Sequence, residues 1–237
     1  MMDISPQINA KTLVPAAYMG VWQRTLLESP AGNDDSSLVL WMQTQQYHID
    51  LRIPATRAGV RAVQAIEEYT EKELLLLANQ QGFAGVTHVK SDICQWQREI
   101  DFQPVTGVRD IGKMLFNDYD TLIESGVDEP YLEIWKRLER SLQPCSFKII
   151  SDKSHQDLKT PAYLMRSGNY VAYARPRQVS LPKAYSLMNA IQTHQPEREQ
   201  LLDWLDFEIS FGVIVDEHHW QIKYSTLPFK ENLLVQL

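Results

Sequence analysis

The stretch Tyr47-His48-Ile49-Asp50-Leu51-Arg52-Ile53, stopped by Pro54, decides the fold class. On an extended chain Tyr47, Ile49, Leu51 and Ile53 share one face, and His48, Asp50 and Arg52 share the other. Such a period of two marks a strand with two chemically different sides. Upstream, Leu38 to Met42 is a second strand candidate, joined to the first through the polar Gln43-Thr44-Gln45-Gln46. Val21 to Glu28 is a third, ending in the turn cluster Ser29-Pro30-Ala31-Gly32-Asn33-Asp34-Asp35. Downstream the pattern repeats at Phe83 to Val89, Ile93 to Phe102, Asp110 to Phe116, Thr121 to Glu124 and Tyr131 to Glu139. It resumes at Phe147 to Ser151, Ala162 to Ser167, Tyr170 to Arg175, Phe207 to Val215, Trp220 to Thr226 and Leu233 to Gln236. Glycine, proline and Asp-Glu breakers separate most neighbours.

Helical spacing occurs in two places. Val60, Val63, Ile66, Leu74, Leu77 and Ala78 predict a helix within Val60 to Asn79, or two shorter pieces split at the gap around Tyr69-Thr70, and Lys183 to Leu205 predicts a pair of helices broken at Pro196. Many short antiparallel strands with few helices predict a mainly β chain, a barrel or sandwich with inserted helices. One elaborated barrel over residues 1–237 is the preferred organisation. The alternative is two barrels, 15–141 and 142–237, meeting near Leu142-Gln143-Pro144.

Composition narrows the function classes. The 237 residues carry 23 basic and 30 acidic side chains, a net charge of −7, with 44% hydrophobic and 22% charged residues. That material suffices for a core and excludes a disordered or collagen-like chain. A mildly acidic chain argues against nucleic-acid binding, which calls for a clustered basic surface. Met1-Met2-Asp3-Ile4-Ser5-Pro6 lacks a basic segment leading into an apolar one, and apolar runs such as Leu74 to Ala78 reach only five residues. No secretory signal and no membrane span are expected. The two cysteines, Cys94 and Cys145, are expected to be reduced thiols in a cytoplasmic protein.

Several blocks carry a resemblance. Gly20-x-Trp22-x-Arg24 opens the first strand candidate, and is followed by Trp41-Met42-Gln43, Asp50-Leu51-Arg52-Ile53-Pro54, Phe83-Ala84-Gly85-Val86-Thr87, Trp96-Gln97-Arg98, Glu124-Ser125-Gly126 and Tyr131-x-Glu133-x-Trp135. The Gly-x-Trp opening resembles lipocalin and calycin proteins. The ordered blocks are similar to a poorly characterised group of lipocalin-like barrels with bacterial members and a fungal partner of a casein-type protein kinase. The likeness spans Gly20 to Glu139 and is looser beyond. It implies an antiparallel lipocalin-like (calycin) β-barrel with an interior pocket and Trp22 packed across its closed end, and it implies no reaction.

Three strand faces mix aromatic and charged side chains at alternate positions: His48, Asp50 and Arg52; Trp96 and Arg98; Glu133, Trp135 and Arg137. Turned into a barrel, Trp41, Trp96 and Trp135 would stack a planar ligand. Arg52, Arg98 and Arg137 would clamp a carboxylate or phosphate, with Asp50 and Glu133 holding the guanidinium groups. The competing reading puts Tyr47, Ile49, Leu51 and Ile53 inward and leaves Asp50 and Arg52 in water. His218 and His219 point to opposite faces of a strand, and His48, His88, His155 and His194 are scattered, so no metal site is expected. Gly-x-Ser-x-Gly, Walker-type and Gly-x-Gly-x-x-Gly patterns are missing, and no cofactor is expected. Asp110, Asp118, Asp120 and Glu124 are too many carboxylates to single out an acid–base pair.

The preferred expectation is non-enzymatic binding of a small hydrophobic or amphipathic anionic molecule in the lumen. One alternative is a filled barrel serving as a protein-interaction module. Another is a cofactor-independent isomerase or cyclase built on Asp50, Glu133 and Arg98.

Overall fold

The computed structural model describes residues 13–150 and 161–237. Nine strands make the first sheet: β1 (Gly20–Ser29), β2 (Gly32–Asp34), β3 (Leu38–Gln43), β4 (Tyr47–Ile53), β5 (Gln81–Lys90), β6 (Ile93–Asp101), β7 (Asp110–Phe116), β8 (Thr121–Gly126) and β9 (Leu132–Arg137). From β3 to β9 each strand pairs antiparallel with the next, β3 pairs with β1, and β9 returns to β1 with Trp22 opposite Arg137 and Gln23 opposite Lys136. Set aside the short β2, and eight strands close into an up-and-down barrel. β2 occupies the segment read from sequence as a turn; it folds back on the far end of β1, Leu27 opposite Asp34.

The second sheet is open. Its order follows the chain: β10 (Cys145–Ile150), β11 (Ala162–Ser167), β12 (Tyr170–Arg175), β13 (Glu208–Ile214), β14 (His219–Ser225) and β15 (Leu234–Gln236). Ser151, expected to end β10, and His155 lie outside the described residues.

Both faces of β4 are buried, which neither reading of its alternation foresaw. Ile49, Leu51 and Ile53 face outward, but into a core shared with Tyr163, Met165, Ala172, Phe207, Ile209 and Phe211 of the second half. Inside the barrel lies a separate cluster around Trp22, Trp41, Phe83, Trp96, Met114, Leu122 and Trp135. The second sheet thus covers the apolar outer wall of β1 and β3–β6, and the polar row of β4 is left to the lumen.

The helices are shorter than their periodicity. Only α1 (Glu71–Leu77) is α-helical within Val60 to Asn79. Thr70 sits extended, accepts a bond from the Glu73 amide and is capped in return by the Glu73 side chain, so the helix starts there. Glu73 also binds the amide of Arg61, which ties down the chain before the helix, while Val63 and Ile66 are buried from non-α backbone. The second region is the expected pair, α2 (Leu187–His194) and α3 (Arg198–Leu205). Ser186 caps the first helix, and left-handed Gln195 ahead of Pro196 ends it. None of the described helices is long and apolar enough to cross a membrane.

Candidate functional site

The barrel interior is layered. At the end near Gly20, Trp22 is fully buried and its Nε1 donates to the Tyr18 carbonyl at 2.8 Å. The Arg137 guanidinium lies 4.2 Å above the Trp22 ring. It donates to the carbonyls of Met19, Ala17 and Tyr119 and pairs with Asp120 at 3.1 Å. Burial lowers the pKa of Arg137. Arg137 therefore plugs this end and does not join the other arginines expected at the site.

In the middle, Trp41 meets Trp96 edge-on at 5.6 Å and Trp135 at 5.9 Å. Their polar edges are satisfied: Trp41 Nε1 donates to Gln43 Oε1 at 3.2 Å and Trp135 Nε1 to Glu124 Oε2 at 3.1 Å. Tyr131 donates to the other Glu124 oxygen at 2.7 Å. Gly112 makes the room, because a Cβ there would stand 2.8 Å from both Cγ and Oε1 of Glu124. Burial first, and then the charge of its cross-strand neighbour Glu133, push the Glu124 carboxyl up to about 8. The shift favours the protonated acid, and the hydrogen bond from Tyr131 opposes it.

His48 shares the inward face with Asp50. Its Nδ1 is 3.0 Å from Thr87 Oγ1, and that hydroxyl donates to Gln43 Oε1 at 2.8 Å. Thr87 has spent its one proton on an acceptor, so His48 Nδ1 carries the hydrogen and Nε2 is a bare lone pair. Nε2 is buried without a hydrogen-bond partner, and burial lowers the imidazole to about 3.

Toward the other end the interior becomes ionic. Arg24 pairs with Asp34 at 2.6 Å and Glu133 at 2.7 Å, and Arg52 with Asp50 at 2.9 Å and Glu133 at 3.9 Å. Arg98 pairs with Asp110 at 2.7 Å and Asp101 at 3.1 Å, its guanidinium 3.7 Å over the Phe83 ring. Burial raises the Asp50 carboxyl above its ordinary value although Arg52 opposes the shift. Of the residues singled out from sequence, Trp41, Asp50, Arg52, Trp96, Glu133 and Trp135 converge inside and Arg98 sits at the rim.

A chamber of about 10 Å³ remains among Trp41, Trp96, Trp135, Phe83, Asp50 and Glu124, with Arg52 and Asp110 closing it. That is room for about one water molecule. Outside it opens a cleft of about 1120 Å³ between the rim, the 103–110 loop and the 176–188 segment. Trp96 and Asp110 line both spaces.

Residues 20–137 form a closed up-and-down barrel. Neither a protein-family model nor a curated protein sequence matches the chain. Among solved structures, a lipocalin-like protein from Bacteroides uniformis ATCC 8492 is similar over 52% of this chain and 99% of its own, at 12% identity and a TM-score of 0.33. At that distance the likeness carries no functional argument; the barrel rests on its own strand pairings.

Arg24, Phe83, Asp110 and Glu124 also build the site, and sequence reasoning did not select them. The alternation that placed Trp96 beside Arg98 applies equally to Trp22 and Arg24, so Arg24 was within reach. Glu124 was not: it ends a strand candidate that excludes Asp118 and Asp120, but no local pattern shows that Gly112 leaves room for its carboxyl inside the barrel.

Proposed function

We propose that the protein is a non-enzymatic, cytoplasmic binder of a small, partly apolar molecule. Its polar head enters the chamber at the barrel mouth and its body lies along the adjoining cleft. The observation that carries this reading is the sharing of Trp96 and Asp110 between chamber and cleft. The lumen is too full to enclose a ligand, so the bulk of any ligand lies outside, against Val105, Val108 and Met188. Trp96 reports on both spaces, which makes tryptophan fluorescence the natural test. Saturable quenching by an amphipathic small molecule at micromolar concentration, weakened by Val108→Asp in the exposed cleft wall, is the expected result. No saturable response to cationic, neutral or anionic amphiphiles up to millimolar concentration overturns it.

A protein-interaction module is the second reading. It is favoured by the side-chain-filled barrel and by the exposed Val105, Val108 and Tyr185 along the cleft. The sequence likeness to a group containing a kinase partner points the same way. In that case small amphiphiles leave the fluorescence unchanged, while Val108→Asp abolishes co-purification of a protein partner.

A further inference from the structure

An anionic head requires guanidinium groups free to receive it, and at this mouth they are already engaged. Each of Arg24, Arg52 and Arg98 holds two carboxylates. Three guanidiniums face Asp34, Asp50, Asp101, Asp110 and Glu133, and Glu124 makes no ion pair among the described residues. The chamber walls are otherwise aromatic, with Trp41, Trp96, Trp135 and Phe83 around the space. The Phe83 face already carries the Arg98 guanidinium, and the surplus of carboxyl groups over guanidiniums around these aromatic walls favours a cation over an anion.

We infer that the chamber selects a primary ammonium head, RNH3+, on an apolar body. This rests on the binding site proposed above and names the class of molecule it takes. Size supports a primary amine: the chamber has room for about one water, and –NH3+ is of that size while a trimethylammonium group is far larger. Its three N–H donors match walls that mainly accept. Seating the cation beside Glu124 expels a proton: RNH3+ plus the Glu124 carboxylic acid gives the RNH3+–carboxylate pair plus H+. The groups facing Glu124 are Glu133, Asp110, Arg52, Tyr131 and Cys94. Of these, Glu133 and Asp110 favour its protonated form, and the Tyr131 hydrogen bond and then Arg52 favour its charged form.

The test titrates the intact protein with n-hexylamine, n-hexanol and hexanoate, reading tryptophan fluorescence and, by calorimetry in buffers of different ionisation enthalpy, protons released. Hexylamine is expected to bind tightest. Its affinity should rise by up to about tenfold per pH unit below the Glu124 titration, with protons released at neutral pH, and level off above it. Glu124→Gln should weaken hexylamine binding and flatten this profile; should that variant fail to fold, proton release by the wild type still decides. Hexanol or hexanoate binding as tightly as hexylamine, or hexylamine binding without proton release, overturns the cation assignment and leaves the site standing. Silence from all three overturns the site itself.

Discussion

Burial raises the pKa of Glu124, so the folded chain holds this proton to higher pH than an unfolded chain would, and this gives the side chain a thermodynamic signature. Below its ordinary value of 4.5 the carboxyl is protonated in both states; between there and about 8 only the folded state keeps the proton. Stability therefore falls as pH rises through that window, by roughly 1.4 kcal/mol per unit at most, and Asp50, also raised, adds to the same slope. His48 works in the opposite sense. Its value drops from 6.5 to about 3, so stability is lost as pH falls below 6.5, and the two slopes oppose each other between 4.5 and 6.5. Replacing Glu124 by Gln keeps the shape and removes one of these titrations. Chemical denaturation across pH should find the variant more stable than wild type near pH 8 and no more stable near pH 4.5; parallel curves would show that Glu124 is ionised in the fold.

At the scale of the strand, the feature that sets the rim is a bulge. Ala84 stands opposite Ile100 and Gly85 opposite Arg98, so Glu99 has no partner on β5. Strict alternation along Ile93 to Phe102 would keep Ile100 on the face of Trp96 and Arg98. The extra residue reverses the parity: Ile100 goes out to the shared core, Asp101 comes in to Arg98, and Glu99 accepts from Tyr163 of the second sheet at 2.5 Å. Gly85 permits it, because a Cβ there would lie 2.0 Å from the Gln97 carbonyl oxygen, a collision with backbone. Gly85→Ala should cost at least about 2 kcal/mol in urea unfolding, and a neutral substitution would contradict the close approach. The same bulge marks where sequence reading stops. Strand positions were legible because glycine, proline and alternation punctuate nearly every strand. Asp101 as a partner of Arg98 was not, since parity across an unpaired residue is fixed by pairing rather than by local pattern. The short α1 shows the converse: the gap in apolar spacing around Tyr69-Thr70 was legible, and Thr70 caps the helix there, whereas the non-α backbone of the piece before it was not legible.

On the scale of the whole molecule, the alternation in β4 was read correctly and its meaning was not. A two-faced strand suggested one dry side and one wet side; here the apolar side is dry against a second sheet and the charged side is dry against its own ion pairs. Nothing within β4 could reveal that a sheet beginning as far along the chain as Cys145 would cover it. The arrangement makes the barrel dependent on its cover. Leu40, Met42, Ile49, Leu51 and Ile53 all lie buried at that contact, each worth about 1.5–3 kcal/mol when removed from water. Their sum rivals the roughly 5–15 kcal/mol that stabilises a typical folded chain. A fragment ending at Ser141 keeps the complete strand closure and loses the cover. It should bind a hydrophobic dye strongly, self-associate, and unfold at far lower denaturant than the full chain. A monomeric fragment with undiminished stability would mean that closure alone sustains the barrel and that the second sheet is an independent attachment.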